Sequence, residues 1–151
     1  MRTWIVFSSI LLLFSCKVKN NSQPASTTNA AQNTTQLLND QTYLLTKISK
    51  DATCAFSYPN PVKVGGAMNS SGPKNEKRFL NALLGPKGEK VEYMRTGNCC
   101  SFKTNNAFIG DYGLLDVFSV WHAGSPDTLT LYINMYDADE LFIPIGYTAR
   151  K

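Results

Sequence analysis

The sequence predicts a small α+β domain: an antiparallel sheet of about five strands with one main helix packed on one face. Three observations predict it. Only one stretch, Lys74 to Leu84, carries a convincing helical apolar period. Two stretches of the second half alternate with a period of two and are joined by a Gly- and Pro-containing turn. Strand and helix units do not alternate along the chain, so nothing points to a parallel α/β sheet.

The elements follow in order. TYLLTKIS, Thr42 to Ser49, is apolar and strand-like, and the domain is expected to span residues 42–151. Tyr58-Pro59-Asn60-Pro61 is a turn, Val62-Lys63-Val64 a short extended piece, and Gly65-Gly66 breaks it. Residues 67–73 form a loop. In the helix Lys74 to Leu84, Phe79, Leu80, Leu83 and Leu84 make one stripe. Glu76 sits near the helix N-terminus, where an ionised acid complements the dipole. Gly85-Pro86 ends the helix. KVEYMR, Lys90 to Arg95, alternates as a strand. Leu114 to Trp121 and Leu129 to Tyr136 form a hairpin around Ala123 to Asp127. On its second arm Leu129, Leu131, Ile133 and Met135 share one face, and Thr130, Tyr132, Asn134 and Tyr136 share the other. Asp137 to Leu141 is a turn or one helical turn. Phe142 to Thr148 is a last extended piece that Pro144 confines to an edge.

The N-terminus reads as an address. Arg2 supplies a short positive region, and Trp4 to Phe14 is apolar except for Ser8 and Ser9. The run is shorter than the roughly 20 residues a membrane-spanning helix needs. It ends in Leu13-Phe14-Ser15-Cys16, which looks like a bacterial lipobox, although Phe14 is bulkier than usual. Residues 1–15 are therefore expected to be a cleaved lipoprotein signal peptide, with Cys16 as the lipidated residue. Each buried acyl CH2 contributes about 0.8 kcal/mol to anchoring, so several chains hold the protein on a membrane. Lys17 replaces the Asp of the inner-membrane retention signal, which favours the outer membrane, with the domain facing the periplasm or the surface. Residues 16–41 are then the lipidated Cys and a tether. Lys17 to Gln41 is rich in Asn, Gln, Ser and Thr, and a coil of that length averages about 25–30 Å end to end.

Charged residues make up only 17% of the chain, which excludes a disordered charged tail or a long coiled coil. The net charge of +4 conceals two halves. Residues 42–103 carry ten Lys or Arg against four acids, and residues 104–149 carry six acids and no Lys or Arg. Either the halves attract one another, or the basic part forms a patch for an anionic glycan and the acidic part takes a cation. Asp137-Ala138-Asp139-Glu140 resembles half of a calcium loop but lacks its Gly and distal Glu, so no metal site and no cofactor are expected. No basic stripe with stacking aromatics points to nucleic acid.

With Cys16 acylated, Cys54, Cys99 and Cys100 remain, and an exported location favours oxidation. The favoured disulfide joins Cys54 to Cys99 or Cys100. It closes a loop of about 45 residues and is worth about 3–4 kcal/mol. A vicinal Cys99–Cys100 bridge is the alternative, at a cost in peptide strain. Neither zinc-type nor redox-type Cys spacing is present. His122 is the sole histidine, and Cys99 or Cys100 with His122 and Asp116 are the only candidates for nucleophile, base and orienter.

Several segments resemble a family of short bacterial envelope lipoproteins. They are Asn60 to Gly66, Arg78 to Leu83 with Gly85 to Gly88, Gly97 to Thr104, Leu114 to Val117 and Leu131 to Asp137. The resemblance covers most of residues 55–148, and Cys54 stands where the family has an aromatic. It implies an envelope lipoprotein of unassigned molecular function and carries over no catalytic residue. Some members bear the label 2-dehydro-3-deoxyphosphooctonate aldolase, the name of a (β/α)8-barrel enzyme. Such a barrel needs about 250 residues, more than this chain has. The expectation is a non-enzymatic binding or structural module whose partners are the membrane, through the anchor, and an envelope protein or anionic glycan. The alternative is a small enzyme, either a thiol-dependent hydrolase or an aldolase as the label has it.

Overall fold

The computed structural model describes residues 35–151. The stretch read as a signal peptide, Cys16 and most of the stretch read as a tether lie outside the described residues. The fold is mixed α+β with one main helix, as the sequence predicts. It begins inside the stretch read as tether. Strand β1, Leu37–Asn39, pairs antiparallel with β2, Thr42–Tyr43. Between them Asn39 Oδ1 accepts from the Gln41 amide, and the turn is clamped from the helix side. There Lys74 and Arg78 both reach Asp40, and Arg78 Nε donates to its carbonyl. Those long-range contacts order residues whose own composition carries no period.

The predicted strand at 42–49 divides. Tyr43 and Leu45 turn inward, and Ile48 makes a parallel bridge to Ile143. Strand β3, Val62–Lys63, leads through a 3-10 turn, Ala67–Asn69, into helix α1, Gly72–Ala82. The helix starts two residues before Lys74. Pro73 suits a first turn, where its missing N–H costs nothing. Gly72 packs closely on Met135, since a Cβ there would come within 2.8 Å of its Sδ. The helix also ends two residues early. Leu83 turns extended, and Leu83–Leu84 form strand β4. The C-terminal strand explains this: its partner across β4 is β8, Thr148–Ala149. Next to β8, the Arg150 amide donates to Ala82 O and its Nε to Asn81 O. Two of the helix's orphan carbonyls are thereby satisfied from outside.

The main sheet has β3 and three longer strands: β5, Val91–Lys103; β6, Tyr112–His122; and β7, Leu129–Asn134. Their order is β3-β7-β6-β5. β5, β6 and β7 run antiparallel, and β3 adds parallel to β7. β5 runs eight residues past the predicted Arg95 because bulges near Gly97 and Cys99–Phe102 keep it paired with β6. The hairpin stands as predicted, with Ser125 N bonding His122 O in the turn.

The helix covers one face of the sheet. Phe79 and Leu80 meet Phe118, Val120, Leu131 and Ile133, all almost fully buried. Leu129, on the same side by pattern, is exposed at the strand end. Pro144 is fully buried, and among the described residues its segment pairs only through the Ile143 bridge to Ile48 and the two-stranded β4–β8 sheet, in keeping with an edge position. Among the described residues no helix is long and apolar enough to cross a membrane. Phe79→Ala removes the largest fully buried ring and is expected to cost about 3–5 kcal/mol, read as a lowered urea midpoint with little change in slope.

Candidate functional site

The outer face of the sheet carries the residues that alternate with the core. Lys63 lies opposite Asn134, and Leu115 lies opposite Cys99. Above this row is a cavity of about 350 Å3. The turn carrying Tyr58 and Pro59 forms one wall, and the end of β5, from Cys100 to Lys103, forms the other. Leu115 and Asn134 lie beneath.

Each wall has a local cause. The turn of residues 51–60 is tied by Asp51, whose carboxylate accepts from the Thr53 amide, Thr53 Oγ1 and Asn60 Nδ2. The opposite wall is the second β5 bulge. Cys100 adopts a left-handed conformation with φ 57°, and the pairing register shifts between Cys99 and Phe102. In a regular strand neighbouring side chains face opposite ways; the bulge removes that alternation. Cys99 and Cys100 are joined to one another in a disulfide. The favoured pairing through Cys54 is thus corrected. Cys54 is half-buried in the 51–60 turn and is free among the described residues.

The floor is held by a polar knot. Asp137 Oδ1 accepts from Thr104 Oγ1 at 2.6 Å and Asn106 Nδ2 at 2.9 Å, and its Oδ2 accepts from Asn134 Nδ2 at 3.0 Å. Asn134 Oδ1 in turn accepts the amides of Tyr136 and Asp137. Burial opposes ionisation of Asp137, but these hydrogen bonds and the charge of Lys63 outweigh it and hold the carboxyl below its usual range. Beside the knot, Gly113 leaves room for two rings, since a Cβ there would lie 2.8 Å from Tyr136 and 3.0 Å from Phe102. Phe102, Tyr136 and Phe108 then follow one another edge to face, at 5.9 and 5.7 Å between centroids.

The proposed nucleophile, base and orienter do not assemble. Cys99 and Cys100 hold no thiol. His122 is opposite Val91 at the far end of β6, seven residues from Leu115, or about 23 Å along a strand. Its Nδ1 contacts Ala123 O. Asp116 faces the helix instead and accepts from Arg95 Nη2.

The structure also corrects the reading of Glu76. It points into the helix–sheet interface, is 2% exposed, and has no hydrogen-bond partner for Oε1 among the described residues. Burial first, then the hydrogen bond and negative charge of Asp116, push its pKa up to about 9, against the weaker pull of Arg95 and Lys77. At neutral pH it is an uncharged acid and does not complement the helix dipole.

The acidic half of the chain is also spent internally. Asp139 pairs with Lys63, and Glu140 pairs with Lys47. With Arg95–Asp116 these ion pairs join the basic half to the acidic half. Asp137, Asp139 and Glu140 therefore diverge to different partners, and no cluster of three or more metal-ligating side chains occurs among the described residues.

Sequence reasoning missed Tyr58, Phe102 and Lys103 as a group. Only the fold brings the Pro-flanked turn beside the end of β5. The outward side of Asn134 was legible from the β7 alternation. The chain matches no protein-family model, no curated protein and no solved structure.

Two outcomes are expected. Alkylation without reduction should label Cys54 but neither Cys99 nor Cys100, and the peptide spanning them should be lighter by two hydrogens; a labelled Cys99 would refute the bridge. Glu76 binds its proton more tightly folded than unfolded, where its value is 4.5, so its contribution is full below pH 4.5 and is lost as pH rises toward about 9. Glu76→Gln should remove that slope, which is at most about 1.4 kcal/mol per pH unit, and stabilise the protein at pH 7. Urea midpoints of both proteins from pH 4 upward measure it, and parallel profiles would contradict it.

Proposed function

We propose that this chain is a lipid-anchored protein of the bacterial cell envelope that acts as a non-enzymatic binding module through the outer-face cavity. The anchor rests on the lipobox-like Leu13 to Cys16 and the short apolar run before it. The envelope assignment is in keeping with the resemblance of residues 55–148 to short envelope lipoproteins. Lys17 favours the outer membrane.

The observation that carries the binding reading is the lining of the cavity. Its walls offer an exposed tyrosine, a phenylalanine, two prolines and two lysines. Such apolar walls with a few polar groups suit recognition. A thiol-dependent hydrolase would call for a free thiol beside a base. The proposed thiol sites are already joined to each other, and the sole imidazole is at the other end of β6.

Cys16→Ser tests the anchor. Metabolic labelling with palmitate should mark the wild type in the outer-membrane fraction, and the variant should lose the label and leave that fraction. Wild type without label would remove the lipoprotein reading. Crosslinking in intact envelopes tests the module: wild type should give a discrete adduct that Tyr58→Ala diminishes. An adduct pattern identical in the two proteins would move binding away from this cavity.

A further inference from the structure

We infer that the outer-face cavity and the aromatic strip beside it bind an acidic saccharide, one whose sugar ring carries a carboxylate or phosphate. This rests on the binding-module reading and adds the chemistry of the ligand.

The cavity, at about 350 Å3, lies at the small end of the range of roughly 300–1,000 Å3 in which ligand pockets fall. It suits one or two rings. Its rim does not stop at the wall. Phe102 lines the cavity, Tyr136 packs on Phe102, and Phe108 packs on Tyr136. Phe108 is 59% exposed at the β5–β6 tip, and Tyr58 on the opposite wall is 60% exposed. A chain of rings from the cavity to an exposed tip matches a ligand that continues beyond one residue. Ring faces carry partial negative charge, and the C–H faces of a pyranose carry partial positive charge, so the two stack. Cys100 of the disulfide lines the same β5 wall as Phe102.

The charge selects an acid. Lys63 and Lys103 both line the cavity. Lys103 makes no salt bridge among the described residues. Lys63 pairs with the solvent-exposed Asp139 at 3.4 Å and its charge also acts on Asp137. The one acid in the lining, Asp137, already accepts three side-chain hydrogen bonds, with both oxygens occupied. Asp139, outside the lining, pairs with Lys63, and the oxygens of Asp137 are taken up within the knot, so Lys103 is the lining cation with no ion-pair partner among the described residues. Ammonium groups are point charges, so they take carboxylate or phosphate alike. Hydroxyl partners remain in Tyr58 and Ser101.

An extended peptide fits less well. β5 is one sheet edge, where two bulges interrupt the ladder a peptide strand would need, and β3, the other edge, is only two residues long. The second cavity, about 540 Å3 beside Lys47 to Asp51 and Phe142, is mostly apolar and open, and its Lys47 and Asp51 already have partners.

Calorimetric titration of the full-length chain in detergent micelles tests the inference. The probes are tri-galacturonate, glucose 1-phosphate, maltotriose and tetra-glutamate. Tri-galacturonate, glucose 1-phosphate or both should bind saturably, and which of them binds identifies the acid group. Maltotriose should bind about tenfold more weakly than the acidic sugar that binds, the loss of one charge-assisted contact. Lys103→Ala should weaken the acidic sugar about five- to tenfold and leave maltotriose unchanged, and Tyr58→Ala should weaken both. Both side chains are exposed, and an unchanged near-ultraviolet dichroism spectrum confirms folding. No saturable binding by either acidic sugar, equal binding by Lys103→Ala, or tetra-glutamate binding as tightly would overturn the saccharide assignment. If the sugars fail while the Tyr58-dependent envelope adduct persists, the ligand class falls and the module reading stands. If the adduct fails as well, both fall.

Discussion

A single helix can cover one face of a four-stranded sheet and no more, and that limit organises the rest of the molecule. The inner face of β6 and β7 presents Phe118, Val120, Leu131 and Ile133, which Phe79 and Leu80 of α1 remove from water. Burial of this kind is worth about 1.5–3 kcal/mol per large side chain, so it dominates anything the surface contributes. With α1 committed there, the opposite face has no helix to cover it. It is finished instead by side chains that tolerate water: Asn134 and Asp137 in a closed hydrogen-bond knot, Lys63 beside them, and rings laid over Gly113. The cavity lies where that finish stops short.

The same packing accounts for the buried carboxyl pair. Asp116 belongs to the inner row of β6, two residues before Phe118, and Glu76 belongs to the buried stripe of α1 one turn before Leu80. Both are carried inward by periods set by their apolar neighbours. Arg95 neutralises Asp116 from the adjacent strand, and Glu76 responds by staying protonated. A pair of this kind contributes little to net stability, because desolvation offsets the attraction. Its effect is on registry. Arg95 lies at the first β5 bulge, and its bond to Asp116 gives that irregular segment a fixed partner on β6.

The sequence made legible whatever short-range periodicity controls. The α1 stripe, the β6–β7 hairpin and the faces of β7 all follow from spacing of 3.6 or 2. The ends of elements were not legible where distant residues decide them. Leu83 leaves the helix because Ala149 pairs with it and Arg150 takes the carbonyls behind it, some 65 residues along. Residues 37–43 are structured because Lys74 and Arg78 hold Asp40. Glu76 was legible as a residue near a helix start but not as a buried one, since its side of the helix is decided by the sheet. The site was the least legible part. Tyr58, Lys63, Phe102 and Asn134 come from four separate segments, and none is part of a local motif.

The Cys99–Cys100 pair shows why the cysteines misled. The alternation rule forbids neighbouring side chains from meeting, and it holds only while a strand is regular. β5 is an edge strand of 13 residues, and a long regular edge is open to pairing with another chain. Bulges interrupt it near Gly97 and again at Cys99–Phe102. A bulge held only by backbone geometry can be smoothed out by a partner strand. One whose two central residues are covalently joined cannot return to alternation without breaking that bond. The disulfide thus guards the edge, and in doing so it holds the β5 wall of the cavity in place. Edge protection and the shape of the outer-face cavity are two consequences of one local irregularity.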